Sequence, residues 1–484
     1  MKNYSSKSGE SKIIVFVPYP AQGHVTPMLN LAKAFLNLDQ GFRPVFVTPR
    51  FIHDQIVARY DDHENNNHMF ITNDHHHQTN NNNDSIEFVA IPDGFEGKSS
   101  VARDFFSLEE AMEKVMPAHL ERVVRDQGED VVCVVVDLLA SWAIEVANRC
   151  GIRVAGFWPA MLAVYRLVVA IPDMVRSGLI SDTGCPQHLY PISFLPNQPI
   201  LSTEEFPWLI GTLAARKARF KFWTRTLARS RTLQWILANS FPDEESLNDE
   251  KLNKELLPLV LPISPLSKNL TTKNPSLWEE DNSCLDWLDK QKSNSVIYIS
   301  FGSWVSPIGE SKVRTLAMAL ESLGHFFIWV LSNSWRAGLP VGFEERVSNR
   351  SKIVSWAPQM EVLRHRAVGF YLTHCGWNST MEAIQSQKRL LCYPIAGDQF
   401  VNCNYIVKVW KIGVRINGVG LKEVEEGLRK VMEDKEMELR LKKMYERTMG
   451  DEACRKATSN LRIFGNFLSK QTLLGSSFVS KTSF

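Results

Sequence analysis

WAPQMEVLRHRAVGFYLTHCGWNSTMEAIQSQKRLLCYPIAGDQ (Trp356–Gln399) is the stretch from which the fold can be read. An apolar run, Val368–Leu372, leads into the polar loop Thr373-His374-Cys375-Gly376-Trp377-Asn378-Ser379-Thr380. A helical pattern over Met381–Ser386 and a second apolar run, Leu390–Tyr393, follow. Short uninterrupted apolar runs separated by helices read as parallel strands covered on both faces, since a strand buried on both sides has no need to alternate with polar residues. Gly376 permits a tight turn, and Asn378, Ser379 and Thr380 set polar groups beside the N–H groups that a helix start leaves unpaired, which is a place for phosphate. Loop capping without a ligand is the other reading of these residues. His374 offers a further donor.

Working outward, the same alternation runs through Val296–Ser300, Phe326–Leu331 and Ile353–Ser355, each followed by a turn and a helical pattern. Val296–Ser300 ends in Phe301-Gly302-Ser303, a glycine turn with a hydroxyl that could face the same phosphates. The amino-terminal half repeats the pattern with Ile13–Val17, then Met28, Leu31, Ala32 and Phe35 at helical spacing, then Pro44–Val47 and Val131–Val136. Both halves are therefore α/β. Leu257–Ser283, rich in Pro, Ser, Asn and Thr, suits a linker, so the expected domains are 1–255 and 256–484. Residues 421–447 read as one charged amphipathic helix, and 452–470 as another.

Composition narrows the function. The 484 residues carry 55 Lys+Arg against 53 Asp+Glu, a net charge of +2, with 44% hydrophobic and 22% charged residues. That balance supplies no broad attraction for nucleic acid or an anionic membrane, and disordered, collagen-like and disulfide-scaffold classes are excluded. Eight cysteines are scattered without a CxxC pair, as in a reduced, cytoplasmic protein, and their spacing shows no zinc site. No signal peptide or membrane-spanning run is expected, because Ile13–Val17 is stopped by Pro18 and Val154–Ile171 contains Gly156, Pro159 and Arg166. The Asn- and His-rich segment 61–85 reads as a surface loop.

In an open α/β sheet ligands bind beyond the carboxyl ends of the strands, which selects reactive residues lying just after a strand. His24 follows Ile13–Val17, before a helix with Thr26 as the expected N-cap and Pro27 at its first position; Asp137 follows Val131–Val136. In one parallel sheet both emerge at the same edge, where a carboxylate can hold one imidazole nitrogen while the other serves as a general base. Two unrelated local caps are the alternative. GxxxxGK[ST], GxGxxG after a strand, HExxH and GxSxG are all absent.

Trp356–Gln399 also closely resembles the signature box of plant secondary-product UDP-glycosyltransferases and has the length of that box. Gly23-His24-Val25-Thr26-Pro27 resembles the family's amino-terminal histidine loop, Asp137 stands where its acidic partner stands, and Ser300-Phe301-Gly302-Ser303 matches a further family segment. The resemblance thus spans essentially the whole chain. It implies the GT-B architecture: two facing Rossmann-like domains with parallel sheets, the first binding the acceptor, the second the UDP-sugar, with a carboxyl-terminal helix returning to the first.

By resemblance, Trp356 stacks on uracil, Ala357 and Gln359 contact base and ribose, and Glu382 takes the ribose hydroxyls. His374, Trp377, Asn378, Ser379 and Ser303 surround the diphosphate, and Asp398 and Gln399 grip sugar hydroxyls. Pro358, Cys375, Gly376, Thr380, Ala396 and Gly397 complete the donor site. The implied reaction is inverting displacement at the anomeric carbon, with His24 as base and Asp137 stabilising the imidazolium. Gln399 points to UDP-glucose as donor, acting on a small lipophilic acceptor. No permanently bound cofactor is implied, and with no Asp-x-Asp in the chain no metal is expected. A monomer without nucleic-acid partner is expected. Gln387-Lys388-Arg389 replaces the family's Gly-Val-Pro, Tyr371 its Phe, and Ser264 a linker Gly. A UDP-sugar-binding protein with little turnover is the alternative, supported by the altered turn and opposed by the intact His24 and Asp137.

Overall fold

Each apolar run read from the sequence falls on a strand, and every pairing between those strands is parallel. The computed structural model describes residues 12–60, 69–71, 85–95, 104–188, 190–191, 198–241, 258–266, 276–303 and 308–475. They form two compact units. One draws its residues from 12–159, 226–277 and 453–475, the other from 160–225 and 278–452. Relative to a cut at 255, segment 160–225 joins the second unit, while 258–277 and 453–475 join the first.

The first unit is built on β1 (Lys12–Val17), β2 (Phe42–Pro49), β3 (Met69–Ile71), β4 (Ile86–Ile91), β5 (Val131–Asp137), β6 (Val154–Trp158), β7 (Trp235–Ala238) and β8 (Leu259–Pro262). Their order is β3-β4-β2-β1-β5-β6-β7-β8. From β1 the chain builds outward through β2, then from β5 in the opposite direction, so the topological switch lies between β1 and β5. Val17 pairs with Val136, which brings the carboxyl ends of the two switch strands level. Two findings differ from the sequence reading. β8 occupies the start of the expected linker, and β3 lies within the Asn- and His-rich segment; the rest of that segment, 61–68 and 72–84, is outside the described residues.

The core of this unit is Phe16, Phe35, Phe46, Phe88, Val135 and Phe157, joined by Leu461, Phe464 and Leu468 of the long helix Asp451–Gly475. Phe464 meets Phe35 edge-on at 6.1 Å and Trp235 at 5.8 Å. Each such aromatic side chain contributes roughly 1.5–3 kcal/mol on burial, so this helix is an integral part of the first core despite its position in the sequence.

The second unit contains β9 (Val296–Ser300), β10 (Phe326–Val330), β11 (Ser351–Val354), β12 (Val368–Thr373), β13 (Arg389–Cys392) and β14 (Gly413–Arg415), ordered β11-β10-β9-β12-β13-β14. Here the switch lies between β9 and β12, the strands that lead into Phe301-Gly302-Ser303 and the His374 loop. Segment 160–225 is held by Glu205, which accepts from Arg415 at 2.6 Å and from Asn404 at 3.2 Å.

Residues 421–447 divide into helices Leu421–Glu433 and Met437–Met449, where the sequence had suggested one. Asp434 leaves helical geometry between them and bonds the Arg440 guanidinium, whose Nε also donates to the Lys411 carbonyl. The altered Gln387-Lys388-Arg389 turn closes normally. Gln387 takes the left-handed conformation at φ 51°, its N–H bonds Ile384 O, and the Lys388 N–H bonds Ala383 O. This is the αL helix ending usually given to glycine. The Lys388 ammonium then donates to the carbonyls of His365 and Val368.

Candidate active site

In the first unit the helix Gln22–Leu36 starts earlier than Thr26, with Ala21 at its N-cap, so His24 sits in the first helical turn and Pro27 lies inside the helix. Thr26 serves instead as acceptor for the Gln22 side chain at 2.8 Å. The turn aims the imidazole back at the end of β5. His24 Nδ1 donates to Asp137 Oδ2 at 2.8 Å, while Asp137 Oδ1 accepts the Leu139 N–H at 2.9 Å. The cap and the orienter are thus one residue, each oxygen doing one job.

The Asp137 side chain is 0% exposed and that of His24 21% exposed. A buried carboxylate held by two donors fixes both the ring orientation and the tautomer, with the proton on Nδ1 and the Nε2 lone pair available. Tyr19 packs at 5.0 Å from the imidazole. A nitrogen base that is oriented, partly accessible and backed by a negative charge can take a proton from a hydroxyl and hold it as imidazolium.

In the second unit the helix Trp377–Gln385 begins at Gly376 with no side-chain cap. A helix start carries positive potential, which favours an anion nearby. His374 packs between two glycines: a Cβ on Gly302, at φ 82°, would come within 2.6 Å of its Nε2, and one on Gly376 within 2.4 Å. Only glycine fits at either position. Burial pushes the His374 imidazole down to about 4, so it is neutral at physiological pH, and its Nδ1 is buried without a hydrogen-bond partner. Ser303 follows Gly302 at the same strand end.

The residues of the box part into those turned toward this loop and those that build its floor. Thr380 Oγ1 bonds back to the Gly376 carbonyl at 3.0 Å, Cys375 is fully buried in the left-handed region at φ 67°, and Trp377 is buried. Asn378 and Gly376 are half-buried at the helix start. Asn402, which sequence reasoning passed over, donates to the Cys375 carbonyl at 2.9 Å and to Asp398 Oδ2 at 2.8 Å, tying the two loops together. Gln399 Oε1 accepts the N–H groups of Ile395 and Ala396, which closes the turn through Gly397 at φ 65°.

Gln359 is the centre of a second network. Its amide oxygen accepts from the Tyr298 and Tyr371 hydroxyls at 3.1 and 3.2 Å, and its NH2 donates to Ser379 Oγ at 3.0 Å and to Glu382 Oε2 at 2.5 Å. Tyr298 and Tyr371 are register partners on the switch strands β9 and β12, with rings 5.0 Å apart. Desolvation pushes the Glu382 carboxyl up to about 7, an effect that the Gln359 bond opposes. Ala357 and Pro358 are buried, and Trp356 lies half-buried with Trp278 tilted against it at 6.0 Å. Trp278 and Tyr298 carried no motif by which the sequence could single them out. The hydroxyl that distinguishes Tyr371 from Phe did carry a signal, as a polar group in an apolar run.

Comparison with known proteins identifies the family and the fold. Residues 274–447 match a family model described as UDP-glucoronosyl and UDP-glucosyl transferase. UDP-glycosyltransferase 82A1 of Arabidopsis thaliana is 54% identical over 94% of this chain and 98% of its own length. Among solved structures, UGT71G1 of Medicago truncatula, complexed with UDP-glucose, superposes with a TM-score of 0.74 at 21% identity, covering 96% of this chain and 100% of that one. A UDP-glucose:anthocyanidin 3-O-glucosyltransferase in complex with UDP gives a TM-score of 0.74 at 23% identity over 95% and 99% of the two chains. The two parallel-sheet units are thus those of the GT-B fold, and with such identity along nearly its whole length the chain belongs to the plant UDP-glycosyltransferases, enzymes that transfer a sugar from a UDP-sugar to an acceptor.

Proposed function

We propose that this enzyme transfers glucose from UDP-glucose to a hydroxyl of a small lipophilic acceptor, with inversion at the anomeric carbon. The observation that carries the mechanism is the 2.8 Å bond from His24 Nδ1 to buried Asp137. His24 Nε2 removes the acceptor's hydroxyl proton as the oxygen attacks C1 of the sugar from the side opposite UDP. The C1–oxygen bond to UDP breaks, and UDP departs with the electron pair. Asp137 stabilises the imidazolium until its proton passes to solvent. Inversion follows from a single displacement.

In this reading the start of the helix Trp377–Gln385, neutral His374, Asn378 and Ser303 receive the diphosphate, where the helix end stabilises the charge that grows as UDP leaves. Trp356 stacks on the uracil. Glu382 accepts the ribose hydroxyls, and Gln359 acts through it, since the Gln359 amide is already engaged by two tyrosines, Ser379 and Glu382. Asp398 and Gln399 take the sugar hydroxyls. The UDP-glucose bound by the Medicago protein and the anthocyanidin acceptor of the other glucosyltransferase support the choice of donor and acceptor class. No step needs a metal or a second chain, so we expect a monomer. Eight free cysteines suit a reducing compartment such as the cytoplasm, and among the described residues no helix is long and apolar enough to cross a membrane.

The altered turn, the one sequence feature in favour of binding without turnover, closes as a regular helix ending and lends that reading no support. The test is UDP release from UDP-glucose with a panel of phenolic, terpenoid and hormone-like alcohols, wild type beside His24→Ala, with the anomeric configuration of the product read by NMR. Acceptor-dependent release that His24→Ala abolishes and a β-linked product are expected. Release without acceptor dependence, or an α-linked product, overturns the proposal.

A further inference from the structure

Three cysteines far apart in the sequence converge inside the second unit. Cys375 lies in the loop after β12, Cys392 ends β13, and Cys403 is on the helix Gln399–Asn404. Their sulfur atoms all lie within 4.8 Å of one another, and all three residues are fully buried. A single buried cysteine behaves as a small apolar residue and needs no explanation. Three arriving at one point from three separate elements make a set of soft donors with a defined geometry.

The set is held in place by backbone: Thr373, two residues before Cys375, is the register partner of Cys392, and Asn402, beside Cys403, donates to the Cys375 carbonyl at 2.9 Å. Structural zinc takes four ligands, and among the described residues no fourth His, Cys, Asp or Glu donor joins the three. Soft thiolate sets select Cu(I), zinc or iron–sulfur clusters, and since structural zinc and the clusters take four protein ligands, a set of three points to Cu(I). Three sulfurs around one ion at about 2.3 Å stand about 4 Å apart, which is compatible with sulfurs that all lie within 4.8 Å of one another.

We propose that Cys375, Cys392 and Cys403 form a binding site for a soft thiophilic ion of the Cu(I) type, set behind the loop that carries His374. On binding, thiols that become ligands release their protons to solvent, the sulfurs displace the ion's carrier ligands, and copper remains Cu(I), so no oxidant or reductant enters. Cys375 lies between His374 and Gly376, so an ion held there fastens that loop to β13 and to the helix Gln399–Asn404.

Reduced protein titrated anaerobically with Cu(I), buffered by the chromogenic chelator bicinchoninate, tests the site. One bound equivalent is expected, with a near-ultraviolet thiolate-to-copper charge-transfer band and a raised Tm, since an ion that binds only the folded state stabilises it. Cys392→Ser and Cys403→Ser should each remove the band and weaken binding roughly tenfold or more. Serine at Cys150, Cys185 and Cys454, the half-buried cysteines, should leave it intact. Cys392→Ala and Cys403→Ala serve if a serine variant loses its native circular dichroism. No band in the wild type, a band that survives these substitutions, a band lost with the three half-buried cysteines, or displacement of Cu(I) by equimolar Zn(II) would overturn the proposal.

Discussion

The two units use the same architectural device in opposite ways. Each sets its candidate site residues at the switch between two parallel strands, β1 and β5 in the first, β9 and β12 in the second. The first unit relies on one side-chain pair, His24 and Asp137, joined by a hydrogen bond across 113 positions of sequence. The second relies on backbone: glycines that admit the His374 ring, an uncapped helix start, and loops tied by Asn402 and Gln399. A proton-transfer site must hold one atom in one orientation, which a single hydrogen-bonded side chain achieves. A diphosphate can be met by several donors spread over loop backbone and a helix start, which close-packed glycines allow.

Removing the pair should have the largest effect. His24→Ala is expected to lower kcat about 10²–10⁴-fold with the KM for the UDP-sugar nearly unchanged, and Asp137→Asn to lower it by up to about 10⁴-fold through the wrong tautomer. Steady-state UDP release checks both; a rise in donor KM with kcat retained would erase the distinction between the units. Gly376→Ala should do the reverse. Its Cβ would meet His374 Nε2 at 2.4 Å, so donor affinity should fall roughly a hundredfold, read by calorimetric titration with UDP.

A pH profile sharpens the comparison further. Burial raises Glu382 to about 7, so below that pH the free enzyme carries it protonated and poorer as an acceptor for hydroxyls. The apparent affinity for UDP should therefore rise as pH increases through about 7, and Glu382→Gln should flatten the profile; a profile unchanged by Glu382→Gln would show that this carboxyl does not meet the ribose. The smallest effect belongs to the turn behind the donor helix. Gln387→Gly relieves a left-handed residue at φ 51° and should stabilise the protein by about 0.5–1 kcal/mol, measured as a shift in urea midpoint, without altering turnover.

The donor half was the more legible because its residues are contiguous. A strand, a glycine loop and a helix start within one stretch can be read by local rules, and Trp356 to Gln399 keep that order in space. His24 and Asp137 were legible as strand-end residues, but nothing local says that their strands are neighbours. The start of the His24 helix was misplaced because Thr26-Pro27 is a strong capping signal, while the actual N-cap, Ala21, has no hydrogen-bonding side chain to announce itself. The single helix expected over 421–447 was broken by Asp434, whose bond to Arg440 is invisible to periodicity.

The sequence alone carries the parallel α/β class, the strand positions, the glycine loop and helix start at Gly376 and, through resemblance, sugar transfer from a UDP-sugar. These rest on patterns that repeat within a few residues, at a strand's or a helix's own period. Only the tertiary structure decided that Asp137 caps Leu139 and orients His24 at once, and that two buried tyrosines hold Gln359 toward Glu382. It alone brought Cys375, Cys392 and Cys403 to one point. Strand order fixes such neighbours, and strand order follows from how many apolar faces must be covered together rather than from any one segment.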